Sequence, residues 1–192
     1  MFALLRPALS LFCLLSILTG ITYPLAVSGI AQLLFPRQAH GSLIVRDGTV
    51  IGSTLIGQSF SDPKFLWGRP SATGGWPNNG MASGGSNLGP LNPALVDGVK
   101  ARIATLKSAD TTQNRPPPLD LVTASASGLD PDISLAAAHY QAPRVARLRG
   151  LELDLVDRLI VQHTSKRQWS WLGEARINVL EFNLALEALR RR

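Results

Sequence analysis

Cysteine is almost absent from this 192-residue chain, which contains only Cys13. A single cysteine excludes a disulfide within the chain and a metal cluster built from several cysteines. The chain also lacks the Gly-x-x-x-x-Gly-Lys-Ser/Thr phosphate loop and the Gly-x-Ser-x-Gly nucleophile turn. Phosphoryl or acyl transfer by this chain alone is therefore poorly supported, and we predict no catalytic residue.

Histidine is also scarce, and its three positions are far apart: His40, His139 and His163. None has a second histidine at metal-ligand spacing, so we predict no metal site. We interpret His139 and His163 as helix-surface or core residues. Asp130 and Asp132 flank a proline, and this pattern favours a helix cap and a first-turn acid over a catalytic acid pair.

Charged residues and histidine are missing from the thirty positions between Arg6 and Arg37. As a helix, the apolar run over residues 8–35 would rise roughly 42 Å, more than the roughly 30 Å of bilayer hydrocarbon requires. We predict an N-terminal segment (residues 1–36) with one transmembrane helix over about residues 8–30, kinked or ended at Pro24. The rival interpretation is a cleaved signal peptide, but apolar residues continue beyond its candidate cleavage site, Ala26-Val27-Ser28.

The remaining residues, 37–192, resemble one soluble domain. Only one of the 19 basic residues precedes Pro36, so 18 of them accompany all 13 acidic residues in this part of the chain. No second segment could cross a bilayer, which excludes a polytopic carrier. Basic side chains flank the apolar run on both sides, so charge does not determine the orientation of the helix.

Arginine is concentrated at two places in the soluble part: Arg144, Arg147 and Arg149, and the terminal Arg190, Arg191 and Arg192. Such clusters can indicate nucleic-acid binding. No aromatic residues are interleaved with these arginines, and the chain carries a membrane-length helix. We therefore predict a solvated or lipid-headgroup-facing surface and no nucleic-acid partner.

Local patterns predict a mixed α+β domain. Asp47-Gly48 between two β-branched runs predicts a hairpin, and residues 68–98 hold eight of the 17 glycines and predict a long loop. Asn92-Pro93 begins a predicted helix that runs to about Ser108. A strand over Leu119–Ala124 and four more helical segments follow: Pro131 to about Gln141, Pro143–Leu148 closed by Gly150, the stretch with Leu155, Leu159 and Ile160, and a final helix capped by Asn178 and Glu181. Without βαβ alternation, these elements predict the α+β class.

The glycine-rich loop holds the candidate binding residues Trp67, Trp76, Asn78 and Asn79. Aromatic anchors on loops are enriched at interfaces, so these residues could bind a sugar or a partner protein. Loop tryptophans also simply cover their own domain. The pattern leaves both interpretations open.

Several long strings resemble the C subunit of the Kdp high-affinity potassium-transporting P-type ATPase. They follow the N-terminal apolar helix in the order of that family: IGQSFSDPKFLWGRPSAT (56–73), SGGSNLGPLNPAL (83–95), LVTASASGLDPDISLAAAHYQAPRVARLRGL (121–151), His163-Thr164, and INVLEFNLAL (177–186). Together they cover most of the chain. The strings are long and unusual in composition, so chance similarity does not account for them.

The resemblance implies a non-catalytic, single-span subunit of the inner membrane, with the N-terminus in the cytoplasm and an extracytoplasmic domain. In that family the A subunit carries potassium, the B subunit hydrolyses ATP, and the small F subunit stabilises the assembly. The C subunit is described as a catalytic chaperone that raises the ATP affinity of the B subunit. ATP is therefore a cofactor by resemblance only, and the cofactor-binding residues stay unknown.

Two hypotheses of other classes remain open beside this one. The first is a membrane-anchored cell-wall glycan-binding module that uses Trp67 and Trp76. The second is a secreted enzyme released after Ser28. The family strings favour the pump subunit, with its soluble domain near the potassium entrance.

Overall fold

The structure is a computed structural model, and it describes residues 2–189. The chain divides into two compact units, Met1–Ile51 and Gly52–Arg192. The first unit carries the apolar helix and the second carries the mixed α+β domain, so the predicted α+β class is confirmed.

The first unit begins with a long helix in three consecutive parts: α1 (Phe2–Ile17), a π-helical segment (Leu18–Thr22) and α2 (Tyr23–Leu34). Its stretch Leu4–Leu34 is long and apolar enough to span a bilayer, and it extends past the predicted residues 8–30 at both ends. Pro24 does not end the helix. Its missing N–H falls just after the π-helical segment, where the N–H of Tyr23 donates to the carbonyl of Leu18 five residues back, so the helix continues past Pro24.

A short hairpin follows α3 (Pro36–Ala39), with strands β1 (Leu43–Arg46) and β2 (Thr49–Ser53). Both turn residues have positive φ, 52° at Asp47 and 76° at Gly48. This is the geometry of the tight hairpin turn for which Asp-Gly is favoured. The predicted hairpin is confirmed.

The second unit opens with a long irregular stretch and then α4 (Pro93–Ala109). The side chain of Asn92 accepts a hydrogen bond of 3.0 Å from the amide of Ala94, so the predicted cap is confirmed and the glycine-rich loop ends at residue 92. The predicted strand over Leu119–Ala124 is wrong, because Leu119–Val122 forms a helical turn, α5. Leu121 and Val122 are both buried there, whereas neighbouring residues of a strand would face opposite sides.

The predicted helix from Pro131 is also wrong at its start. Residues Asp132–Ser134 form strand β3, and α6 (Leu135–Arg149) begins only after Ser134, whose hydroxyl accepts the amide of Ala137 at 3.0 Å. The two predicted helical segments are one helix, with Pro143 inside it. Pro143 cannot bond the carbonyl of His139, and that oxygen accepts a weak hydrogen bond from Arg115 at 3.4 Å instead.

The last elements are α7 (Leu153–Gln162), β4 (Thr164–Ser165), β5 (Arg176–Asn178) and α8 (Val179–Leu189). The strands form an antiparallel sheet in the order β3-β5-β4, with Ile133 opposite Ile177. Gly150 closes α6 as predicted, and its backbone is left-handed (φ 65°). Asn178 caps α8 by accepting the amide of Glu181 at 3.0 Å. The core lies between the sheet and helices α6, α7 and α8, and its fully buried members include Ile133, Val145, Val156, Ile160, Ile177, Phe182 and Leu186.

Candidate functional site

The irregular stretch between Ser53 and Pro93 is held in place by two buried amide side chains. Asn183 accepts the amide N–H of Leu66 at 3.0 Å and donates to the carbonyl of Leu66 at 2.9 Å. Gln141 does the same for Trp67, at 2.9 and 3.1 Å. Each amide thus satisfies both polar groups of one buried backbone unit, as a neighbouring strand would.

Arg144 fixes the same segment from α6. Its guanidinium donates to the carbonyls of Pro63 and Phe65 and to the side chain of Gln141. It also lies 4.5 Å from the centroid of the Trp67 ring, a cation–π distance. Burial lowers the pKa of Arg144 to about 10, so the side chain stays charged at neutral pH. Arg144 therefore joins loop and helix.

The prediction of a solvated or headgroup-facing arginine surface on α6 is wrong for Arg144, which is buried, whereas Arg147 is exposed. Besides buried Arg144, Arg147 donates to the carboxylate of Asp110 at 2.8 Å, and Arg149 donates to the carbonyl of Lys64 at 2.8 Å. These arginines satisfy polar groups of the neighbouring segments. The terminal Arg190, Arg191 and Arg192 lie outside the described residues.

The glycine-rich part of the loop packs backbone to backbone against residues 124–130. The amides of Gly57 and Gly84 donate to the carbonyls of Leu129 and Ser127 at 2.8 and 2.9 Å. A Cβ on Gly85 would lie 2.8 Å from the carbonyl oxygen of Ala126, closer than side chains pack. The glycine content therefore permits close approach of two chain segments, and hydrogen bonds join the predicted loop to residues 124–130.

The four candidate loop residues have different roles. Trp67 is half-buried, and its indole N–H donates to the carbonyl of Asp62 at 3.1 Å. Asn79 is buried and donates to the carbonyl of Gly74 at 2.9 Å. Trp76 is exposed, and Asn78 is half-buried. Trp67 therefore covers its own domain with one face under Arg144, which does not fit an open sugar platform formed with Trp76.

A cleft of about 350 Å³ opens between this loop and α4. Its walls include Trp67, Arg69, Ser71, Asn78, Arg102 and Leu121. Arg69 pairs with Asp130 at 3.0 Å, while its buried Nε has no partner among the described residues. Arg102 donates to the carbonyl of Val122 at 3.0 Å, and burial lowers its pKa. The cleft is therefore polar, but its two guanidinium groups are already engaged, Arg69 by Asp130 and Arg102 by a backbone carbonyl.

Comparison with known proteins identifies the family. Residues 5–188 match the family described as KdpC, the c chain of K+-transporting ATPase. The chain belongs to this family. It is 65% identical over 184 residues to the potassium-transporting ATPase KdpC subunit of Variovorax paradoxus, covering 96% of this chain and 95% of that protein. The subunits from Polaromonas naphthalenivorans and Dechloromonas aromatica are 64% and 60% identical, over 97% of this chain and 95% and 97% of theirs. The chain is therefore a subunit of a potassium-transporting ATPase.

The acidic pair of this KdpC chain has a structural role other than the predicted cap and first-turn acid. Asp130 pairs with Arg69, and Asp132 lies in β3 and pairs with Arg176 at 2.7 Å. Burial raises the pKa of Asp132 despite Arg176. The two carboxylates thus join strands and loop through separate ion pairs.

The histidines are placed as predicted, at a helix surface and beside the core. His139 is exposed and pairs with Asp157 at 3.1 Å, while the His163 ring lies edge-on to Phe182 at 6.2 Å. Within residues 2–189, no three His, Cys, Asp or Glu side chains are grouped so that they could hold a metal ion.

Sequence reasoning missed the residues that do most to shape this region. Asn183 stands in an otherwise apolar stretch of α8, next to Phe182, and Gln141 lies between the buried Tyr140 and Ala142 of α6. A lone amide on the apolar face of a helix is the available signal, because such a side chain must be hydrogen-bonded when buried. Its partners, 74 and 117 residues away, could not be read from spacing.

Proposed function

We propose that this chain is a non-catalytic accessory subunit of an ATP-driven, high-affinity potassium uptake pump. In this role it assembles with the potassium-translocating and ATP-hydrolysing subunits and stabilises them. The observation that carries the proposal is the family match over residues 5–188, supported by relatives up to 65% identical along almost their whole length. The partners are the A, B and F subunits that the family resemblance implies.

The apolar helix supports a membrane location. Its large side chains are exposed along the whole stretch Leu4–Leu34, and water would disfavour a surface of this size. Lipid or the helices of other subunits would cover it. In the proposed topology the helix crosses the inner membrane once, with the N-terminus in the cytoplasm and the α+β domain outside the cytoplasm.

The proposed effect on catalysis is a rise in the ATP affinity of the ATP-hydrolysing subunit. The sequence has no phosphate loop, and the guanidinium groups of Arg69 and Arg102 in the cleft already donate to Asp130 and to backbone carbonyls. These observations support an effect that acts through contact between subunits.

The test compares the pump purified with and without this chain. We expect omission to lower the yield of the assembled pump and to raise the KM for ATP of potassium-stimulated hydrolysis. Unchanged yield and unchanged KM would contradict the proposal. A lower yield with an unchanged KM would keep the assembly role and remove the chaperone role.

A further inference from the structure

The turn between β4 and β5 exposes two tryptophans that contribute nothing to the core. Trp169 is 77% exposed and Trp171 71% exposed, and their ring centroids lie 6.4 Å apart. Leu172 beside them is also exposed. Large aromatic side chains stabilise a fold when buried, so a pair left in solvent points to contact with another surface.

Backbone hydrogen bonds close the tip into a tight turn. Gln168 and Leu172 exchange two backbone hydrogen bonds, of 3.0 and 2.9 Å. Trp169 and Ser170 at the tip both have positive φ, 48° and 69°. Non-glycine residues adopt this left-handed conformation only at an energetic cost, and the two hydrogen bonds that close the turn hold it in place.

The rim of this tip is basic. Lys166 and Arg167 precede the tryptophans, and neither forms an ion pair among residues 2–189. Tryptophan and arginine together are typical of the residues that dominate binding at protein interfaces. An acidic rim around an apolar pocket would complement the tip.

We propose that this tryptophan tip, Lys166–Leu172, docks into an apolar, carboxylate-rimmed pocket on the extramembrane surface of another subunit of the same ATPase. The proposal rests on the assembly role given above. A protein pocket suits the tip better than a lipid surface does. Headgroups are fluid and need no defined turn, whereas a preorganised turn strengthens binding to a shaped partner. The chain also already carries a span for lipid contact.

The test places the photoreactive residue p-benzoylphenylalanine at the tip of the full chain in the assembled pump. Trp171→p-benzoylphenylalanine should give a covalent adduct with another subunit, and Val161→p-benzoylphenylalanine, at an equally exposed site on α7, should give at least about tenfold less. Adducts with lipid only, no adduct, or equal yields at both sites would overturn the proposal.

A second measurement uses the energetics of the contact. The Trp169→Ala/Trp171→Ala variant should be retained at least about tenfold less by the other subunits in mild detergent than the control Leu119→Ala/Val161→Ala, which also shortens two exposed side chains. Equal retention of the two variants would contradict tip docking. If the unaltered chain itself is not retained, the assembly role fails, which distinguishes the two proposals.

Discussion

At the residue scale, buried polar side chains define the shape of this domain. Asn183 and Gln141 are about 1% exposed, and each satisfies both backbone groups of one loop residue. A buried amide that loses one partner leaves an unsatisfied group, which costs more than the bond itself contributes. The loop conformation therefore depends on a few side chains of α6 and α8.

Asn183→Asp keeps the shape of the side chain but removes the N–H donor to the carbonyl of Leu66. It also places a carboxylate in a buried position. We expect a loss of roughly 2 to 4 kcal/mol in unfolding free energy. The measurement is thermal unfolding of the full chain in detergent. The control Asn114→Asp, at an exposed position, should unfold like the unaltered chain, and an equal effect of both variants would contradict the role of Asn183.

Asp110 should make stability sensitive to acid. Burial would raise its pKa, but hydrogen bonds from Thr112 and Arg147 outweigh burial, so the pKa lies below the ordinary 3.8. The ionised carboxylate therefore contributes stability that is present above pH 3.8 and is lost as the pH falls through the lower, folded-state pKa. Between pH 5 and strong acid, the unfolding temperature of the Asp110→Asn variant should fall less than that of the unaltered chain.

Asp132 provides the opposite control for this pH dependence. Its pKa is raised by burial, so its protonation stabilises the folded state as the pH falls. Asp132→Asn removes this stabilisation, so the unfolding temperature of the variant should fall more steeply with decreasing pH than that of the unaltered chain. Equal pH profiles for both variants and the unaltered chain would show that neither carboxylate couples folding to pH.

At the element scale, features that depend on neighbouring residues could be predicted from the sequence, and features that depend on distant residues could not. The hairpin turn at Asp47-Gly48 and the caps Asn92 and Asn178 could be predicted because each depends on neighbours in sequence. Strand β3 could not, because Asp130-Pro131 imitates a helix start and only pairing with Ile177, 44 residues beyond Ile133, makes the segment a strand. The burial of Arg144 was missed for the same reason, since its carbonyl acceptors, Pro63 and Phe65, belong to the irregular stretch.

The glycine-rich loop should tolerate side chains only where the backbone leaves room. Gly85→Ala would place a Cβ 2.8 Å from the carbonyl oxygen of Ala126, and we expect a loss of about 1 to 3 kcal/mol in unfolding free energy. Gly89→Ala has no atom within 4 Å of the added carbon and should change it by less than about 0.5 kcal/mol. Thermal unfolding of both variants checks this difference. Equal stability would show that the close approach is not required.

At the scale of the whole molecule, the two units suggest two kinds of contact. The apolar helix needs lipid or other helices, and the α+β domain presents a polar cleft and an exposed aromatic tip. Sequence alone predicted the helix from its missing charges and the family from its strings. It did not reveal the tip, because the exposure of Trp169 and Trp171 depends on where the sheet directs its turn.

The apolar helix should fail when a charge is placed near its middle. Leu15→Arg is expected to cost roughly 2.5 to 3.5 kcal/mol on insertion and to reduce assembly of the pump. Leu5→Arg, near the end of the helix, should be tolerated better because a long side chain can reach the interface from there. Membrane fractionation and pump activity measure both effects. Normal activity of the Leu15 variant would show that the span is not an essential contact.

The central claim, that this chain is an accessory subunit of a potassium pump, is tested most directly by co-purification from the native membrane. The tagged chain should be recovered in mild detergent together with the potassium-translocating and ATP-hydrolysing subunits. Native mass spectrometry should then give a complex containing all of them. Recovery of the chain alone, under conditions that keep the pump active, would contradict the account.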